Sequence, residues 1–341
     1  MVTAGRWEPN GAMWVEPDCN IPSGESFVRQ LIVGQAATRE MFDYTSDTLW
    51  LPDVFGYSAA LPQILQGCGV KYFCTTKINW NDTTRFPYDT FTWKGIDGSS
   101  VLVHYNTIGG HPSPEDLIDQ WKWVQHKDVQ DRRFLSFGHG DGGGGPVAEM
   151  CEVIRRTGDL EGCPRAKYVT ISKFMSGIEK ELTDLPAWSG ELYMEGHRGT
   201  LTSIAGVKRG NRKTEIALRE AEFLSTLAAL SGVPYPASRL EAAWKVLLTN
   251  QFHDILPGSS IAAVNDEAVR AFDACIRDAG AISLKAIRHI AGKPAGGATN
   301  LLLLNSLGWD RHGELALDGV PKGMVPAVPE VVAQRVENIE G

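Results

Sequence analysis

The sequence predicts an α/β domain with a mainly parallel sheet or barrel and crossover helices, followed by a three-helix bundle and the start of a β domain. Three observations predict it. Short apolar runs alternate with helical patterns as far as about residue 185. Long stretches of helical period then occupy 211–290. A Gly- and Pro-rich stretch at 292–297 separates these from a new apolar run. The expected domains are 1–185, 188–292 and 297–341.

In the first domain the strand candidates are 12–15, 48–51, 70–75, 100–105, 134–137 and 167–170. Residues 134–137 (FLSF) are apolar on both faces, as expected of a strand covered on both sides. Helices are expected after Ser23, a good N-cap, and over 59–66, 114–126 and 146–156; Pro114 and Pro146 stand where a first helical turn accepts proline. Strand, helix and strand in succession argue for parallel pairing. In the second domain, Ala217, Ala221, Leu224 and Ala228 recur at helical spacing within 211–230. Ser238-Arg239-Leu240-Glu241 has the pattern of a capping box opening a helix toward Gln251. A third helix runs from Ile261 to about Ile290. Residues 301–305 read as a strand, and the tail beyond shows no helical period.

Composition narrows the function. The 341 residues carry a formal net charge of −8, with 43% hydrophobic and 22% charged residues, which is ordinary globular usage. No long basic run offers a footprint for nucleic acid. No stretch of about 18 apolar residues suggests a membrane span. The six cysteines form no CxxC pair and read as reduced thiols, and no basic start with an apolar core marks a secretory signal, so a cytoplasmic location is expected.

Ligands of parallel α/β domains bind beyond the carboxyl ends of the strands. There the sequence places Glu16 and Asp18, Asp53, Thr76 and Lys77, Asn106, and Asp141 within Gly138-His139-Gly140-Asp141 and four following glycines. Two carboxylates on one sheet edge suit glycoside hydrolysis. Asp53 could instead cap a following helix, and Asp141 could be a turn residue. The glycine run suggests a phosphate cradle, but no Gly-Lys-Ser/Thr follows, so room for a bulky ligand is the plainer account. His253 is either a metal ligand oriented by Asp254 or a capping residue near a helix end. Glu191, Glu195, His197 and Arg198 cluster between the two domains, as a ligand pocket or a salt-bridge patch. Trp14, Trp80 and Trp93 could floor a sugar site or pack a core.

These residues lie in five stretches: 13–26 (MWVEPDCNIPSGES), 50–63 (WLPDVFGYSAALPQ), 138–146 (GHGDGGGGP), 191–200 (ELYMEGHRGT) and 251–260 (QFHDILPGSS). Together they strongly resemble the α-mannosidases of glycoside hydrolase family 38, particularly the cytosolic and bacterial branch. The resemblance implies an α/β domain, a three-helix bundle and large β domains. It implies retention of anomeric configuration and one divalent metal, usually zinc and sometimes cobalt. Asp53 then matches the nucleophile, which also ligates the metal, and His253 the metal-binding histidine. Asp141 lies in the segment that bears the acid/base, although other branches have two adjacent aspartates there. Trp14, Lys77, Trp80, Glu195, His197 and Arg198 become candidate substrate-binding residues, and Asp254 a partner of His253. The expected ligand is a mannose-containing oligosaccharide or glycoside. The resemblance also implies two further metal ligands from a His-x-Asp motif near the start of the α/β domain, and no such motif stands there. The chain therefore reads as truncated at both ends, with weak metal binding, low or absent activity alone, and an unpaired sheet edge that favours oligomerisation. A non-catalytic carbohydrate-binding remnant is the alternative; a metal-dependent deacetylase would need an Asp with two His ligands on adjacent loops, which is not found.

Overall fold

A computed structural model describes residues 1–105, 107–141, 143–292 and 304–310. Residues 1–293 form one compact unit. It contains helices α1 (Gly24–Phe42), α2 (Leu61–Gly67), α3 (Pro114–Lys122), α4 (Ala148–Thr157) and α5 (Ile171–Glu181), then α6 (Ala205–Ala229), α7 (Ala237–Thr249) and α8 (Ala262–Ala291). The strands are β1 (Thr48–Leu51), β2 (Tyr72–Thr75), β3 (Thr90–Lys94), β4 (Ser100–Tyr105), β5 (Thr107–Gly109), β6 (Leu135–Phe137) and β7 (Ala187–Ser189). Of the second unit, residues 304–310 are a short bend in which Asn305 Nδ2 donates to the Trp309 carbonyl at 2.7 Å. The expected strand over 301–305 and the tail lie almost wholly outside the described residues.

The main sheet is five-stranded in the order β1-β2-β4-β3-β7. Its pairs β1–β2, β2–β4 and β3–β7 are parallel, and β3–β4 is antiparallel. β5 and β6 form a separate parallel pair. The antiparallel pair follows from its turn. Gly98 takes a φ of +88°, and Asp97 Oδ1 accepts the Ser99 N–H at 3.0 Å, so Asp-Gly closes a hairpin. One face of the sheet buries Leu49, Leu51, Phe73, Phe91, Trp93 and Val103; the other packs Tyr72 and Cys74 on Ile171, Met175 and Ile178 of α5. Trp93 is thus core, fully buried with its indole N–H on the Gly190 carbonyl at 2.8 Å.

Several expectations are corrected. Residues 12–15 are not a strand. Ala12 turns the chain at a φ of +61°, and the Met13 carbonyl lies so close to α1 that a Cβ on Gly34 would stand 2.2 Å from its carbon. The segment packs on a helix instead of pairing. Residues 167–170 are extended but unpaired, and Thr170 is the N-cap of α5. The run at 134–137 yields only β6, with all three of its residues partly exposed, so it is not covered on both sides. The capping box at Ser238 does not form: α7 starts two residues after Tyr235 with Pro236 at the cap and no side-chain bond. Asp53 caps no helix, because α2 begins eight residues later.

The bundle of α6, α7 and α8 has its own core around Leu218, Trp244, Leu247 and Phe272, and Trp14, Ile21 and Val33 pack against it. A buried polar set joins it to α1. Gln251 Nε2 donates to Ser26 Oγ (3.0 Å) and Asn211 Oδ1 (2.9 Å), while Glu215 accepts from the Ser26 hydroxyl and the Ser23 N–H. The network is satisfied but for Asn211 Nδ2, which is buried without a partner, and it favours one docking register. The end of α7, where His253 follows, is held against the α/β domain by it.

Candidate active site

Asp53 lies just past the carboxyl end of β1, and Lys77 opens the single helical turn Lys77–Asn79 just past β2. His253 reaches them from the loop after α7. The stretch that carries Glu16 stitches the loops together. Pro17 bridges to Phe252 and Cys19 to Tyr57, and the His253 N–H donates to the Glu16 carbonyl at 3.0 Å. Asp18 is 1% exposed and accepts the N–H groups of Asn20 and Ile21, which fold the same stretch.

Asp53 uses its two oxygens differently. Oδ1 accepts from Lys77 Nζ at 2.6 Å, and Oδ2 faces His253 Nε2 at 3.4 Å. His253 Nδ1 lies 3.1 Å from the Glu16 carbonyl, which can only accept, so Nδ1 bears the hydrogen. A neutral imidazole would then turn a lone pair from Nε2 toward a carboxylate. That pairing asks for a positive charge between them, a proton or a metal cation. Burial depresses the His253 imidazole, but the hydrogen bond to Asp53 and the carboxylate and carbonyl of Glu16 outweigh it and raise its pKa. Burial likewise pushes Asp53 up, yet its bonds to His253 and Lys77 hold the carboxyl below the usual range. Burial raises Glu16.

Aromatic rings wall the site. Lys77 Nζ sits 4.7 Å from the Phe55 ring centroid and 4.9 Å from that of Trp80. His197 packs on Phe55 at 4.6 Å and lies 6.3 Å from Trp80, which is 56% exposed. Glu195 does not point at this group. It accepts the N–H groups of Thr83 (2.7 Å) and Thr84 (3.0 Å) and so pins the loop that bears Trp80. Asp254 Oδ2 is 3.9 Å from His253 Nε2.

Other expected site residues lie apart. Trp14 packs on the bundle and donates from Nε1 to Thr249 Oγ1 at 2.9 Å. Arg198 and Glu191 are exposed, and none of the contacts made by Asp53 or His253 involves them. Asp141 is exposed at a φ of +54° on a turn closed by the His139–Gly144 bridge, and it is not among the groups that touch Asp53. Asn106 lies outside the described residues. Phe55 was legible only as an apolar neighbour; its place two residues after Asp53 was the available signal. Beside the site a cavity of about 550 Å³ is lined by Met13, Glu16, Trp50, Pro52 and Phe252. Glu16 Oε2 and Trp50 Nε1 are buried without a hydrogen-bond partner.

Asp53 Oδ2 and His253 Nε2 suit a borderline divalent cation in type and direction. Among the described residues, however, no group of three or more His, Cys, Asp or Glu converges as a metal cage. Asp53 and His253 thus supply two of the three protein donors that a catalytic zinc commonly takes, among the described residues.

Comparison with known proteins fixes the family. Residues 1–191 match the glycosyl hydrolases family 38 N-terminal domain. This chain belongs to glycoside hydrolase family 38. Residues 195–290 match the alpha mannosidase middle domain. Over 320 residues the family 38 chain is 41% identical to alpha-mannosidase 2C1 of Mus musculus, covering 92% of this chain and 30% of that one. It is 35% identical over 317 residues to the alpha-mannosidase of Saccharomyces cerevisiae, covering 88% and 29%. The chain thus spans about a third of the length of these relatives. Its fold matches the crystal structure of an alpha-mannosidase from Enterococcus faecalis V583 with a TM-score of 0.71 at 21% identity, over 85% of this chain and 34% of that one. No helix among the described residues is long and apolar enough to cross a membrane.

Proposed function

We propose that this family 38 chain carries the nucleophile side of a retaining α-mannosidase site acting on terminal α-mannosides of an oligosaccharide or glycoside. The observation that supports it is the convergence of Asp53 and His253 at 3.4 Å from two domains, with Lys77 on the other carboxylate oxygen. Asp53 would attack the anomeric carbon, forming a carbon–oxygen bond as the glycosidic bond breaks and its electron pair leaves on the departing oxygen. Asp141 would give that oxygen its proton and later take one from the incoming water, which releases Asp53. Its exposed turn must then approach the sugar, a step that substrate would drive.

Asp53 and His253 would hold a divalent cation, zinc or otherwise cobalt, which when bound supplies Lewis-acid polarisation of sugar hydroxyls and charge compensation. His253 is prepared for this by the Glu16 carbonyl, which fixes its tautomer as metal-bound histidines require. With two donors, binding by this chain is weak and its turnover alone low. Trp80 offers an exposed ring face for a sugar, and His197 its edge. The six free thiols fit a reducing, cytoplasmic setting.

The separation of Asp141 from Asp53 favours one second reading, a carbohydrate-binding protein without turnover. Hydrolysis of an aryl α-mannoside with added zinc or cobalt separates the two. The enzyme reading expects turnover that Asp53→Asn abolishes; turnover that survives Asp53→Asn ends it.

A further inference from the structure

Lys77 has the surroundings of a clamp and not those of a sugar ligand. Its side chain is 10% exposed, whereas Trp80 beside it is 56% exposed. Its ammonium meets the Asp53 Oδ1 atom at 2.6 Å and the faces of Phe55 and Trp80 at 4.7 and 4.9 Å. A lysine that binds hydroxyls keeps its three donors turned to the cleft. Here one donor is committed to a carboxylate, and two ring faces cover the head. The clamp is also braced from behind. Asn81 Oδ1 accepts the Glu195 N–H at 2.7 Å, and Glu195 holds Thr83 and Thr84, so hydrogen bonds tether the Trp80 loop.

We propose that Lys77, held between Phe55 and Trp80, is a positioning residue for Asp53: it anchors Oδ1 and thereby turns Oδ2 toward His253. The inference rests on the reading of Asp53 as nucleophile. A carboxylate rotates freely about its Cβ–Cγ bond unless one oxygen is tied, and attack at a fixed carbon needs one oxygen in one place. The two rings have a further part. When Asp53 forms its bond to the sugar carbon it changes from carboxylate to neutral ester, and the electron pair of the broken bond departs on the leaving oxygen. The lysine head then loses its counter-charge while still enclosed. The electron-rich ring faces remain against it and hold it in place for the return of the carboxylate. Phe55 sits two residues after Asp53 and Trp80 three after Lys77, so each charged group brings its own wall.

Two measurements on the full chain test this. The first is acylation of lysines by an N-hydroxysuccinimide ester, followed residue by residue by mass spectrometry. Lys77 should react far more slowly than Lys122, whose side chain is 68% exposed, and Asp53→Asn should speed it. Equal rates at Lys77 and Lys122 in the unaltered chain overturn the proposal. The second is aryl α-mannoside hydrolysis. Lys77→Met should lower kcat by about 10²-fold, the cost of a misplaced reacting group, with KM little changed, and Lys77→Arg should restore part of the loss. A raised KM with kcat intact assigns Lys77 to sugar binding and refutes the inference. Absence of turnover in the unaltered chain counts against the mannosidase reading alone; the effect of Asp53→Asn on the Lys77 acylation rate still decides the clamp, and an unchanged rate overturns it.

Discussion

The Nε2 atom of His104 accepts the backbone N–H of Phe134 at 3.1 Å, while its Nδ1 pairs with Thr90 Oγ1 at 2.8 Å. A nitrogen that accepts cannot bear a proton, so this fully buried imidazole is neutral. Burial, with the nearby Arg133 charge, depresses its pKa from 6.5 to about 3. The unfolded chain therefore binds a proton here between pH 6.5 and 3 that the folded chain refuses. The stability is present above pH 6.5 and is lost as pH falls toward 3. Between pH 7.5 and 4.5 this residue alone should remove about 2–3 kcal/mol. Urea titrations at several pH values check it: His104→Gln should flatten that part of the profile, and an unchanged slope would show that other groups dominate.

The metal expectation can be measured without activity. Calorimetric titration with zinc should show weak binding to the chain, and His253→Ala or Asp53→Asn should weaken it further. Losing a residue that merely orients a ligand costs about 10–100-fold, so removing a donor should cost at least as much. Tight one-to-one binding by this chain would show that a third donor exists outside the described cluster.

The proposed role of Asp141 as proton donor has a distinct signature. Asp141→Asn should slow release of a poor leaving group, such as methanol from a methyl mannoside, by about 10²–10⁴-fold. A nitrophenol needs no proton to leave, so its first step should suffer far less. Equal losses on the two substrates would assign Asp141 to the glycine turn alone.

Gly34→Ala tests the packing that displaced the expected first strand. The added Cβ would meet the Met13 backbone at 2.2–2.6 Å. Alanine is worth about 1 kcal/mol over glycine within a helix, but overpacking against a backbone costs about 1–3 kcal/mol or more. A net loss of stability in thermal melts is expected, together with weakened metal binding, because residues 13–16 lead into the stretch that orients His253. A stabilised variant would show that the segment yields.

Much of this is legible in the residue pattern. Thr48–Leu51 and Ser100–Tyr105 are strands as their apolar runs indicate, and the first of the three long helices follows the apolar period of Ala217, Ala221 and Leu224. Asp53, Lys77 and His253 were legible as chemistry, and the rule of strand carboxyl ends put the first two on one edge. What was hidden is what depends on distant partners. The antiparallel β3 was missed although Asp97-Gly98 marks its turn, because strands alternating with helices argued for parallel pairing throughout. α5 was lost to the β-prone Tyr168-Val169-Thr170 before it, despite Ile171, Phe174, Met175 and Ile178 at helical spacing. Nothing local to Lys77 shows that two rings close over it. Trp14 read as a sugar floor because its partner Thr249 lies 235 residues away.

The short stretch from Glu16 to Cys19 is tied at Pro17 to Phe252 and at Cys19 to Tyr57. Its neighbours on either side are the loops that bear the imidazole and the acid. A nascent polypeptide that has made only its first half therefore owns Asp53 and Lys77 but not the imidazole. Anything that pries that seam apart should part the imidazole from the acid.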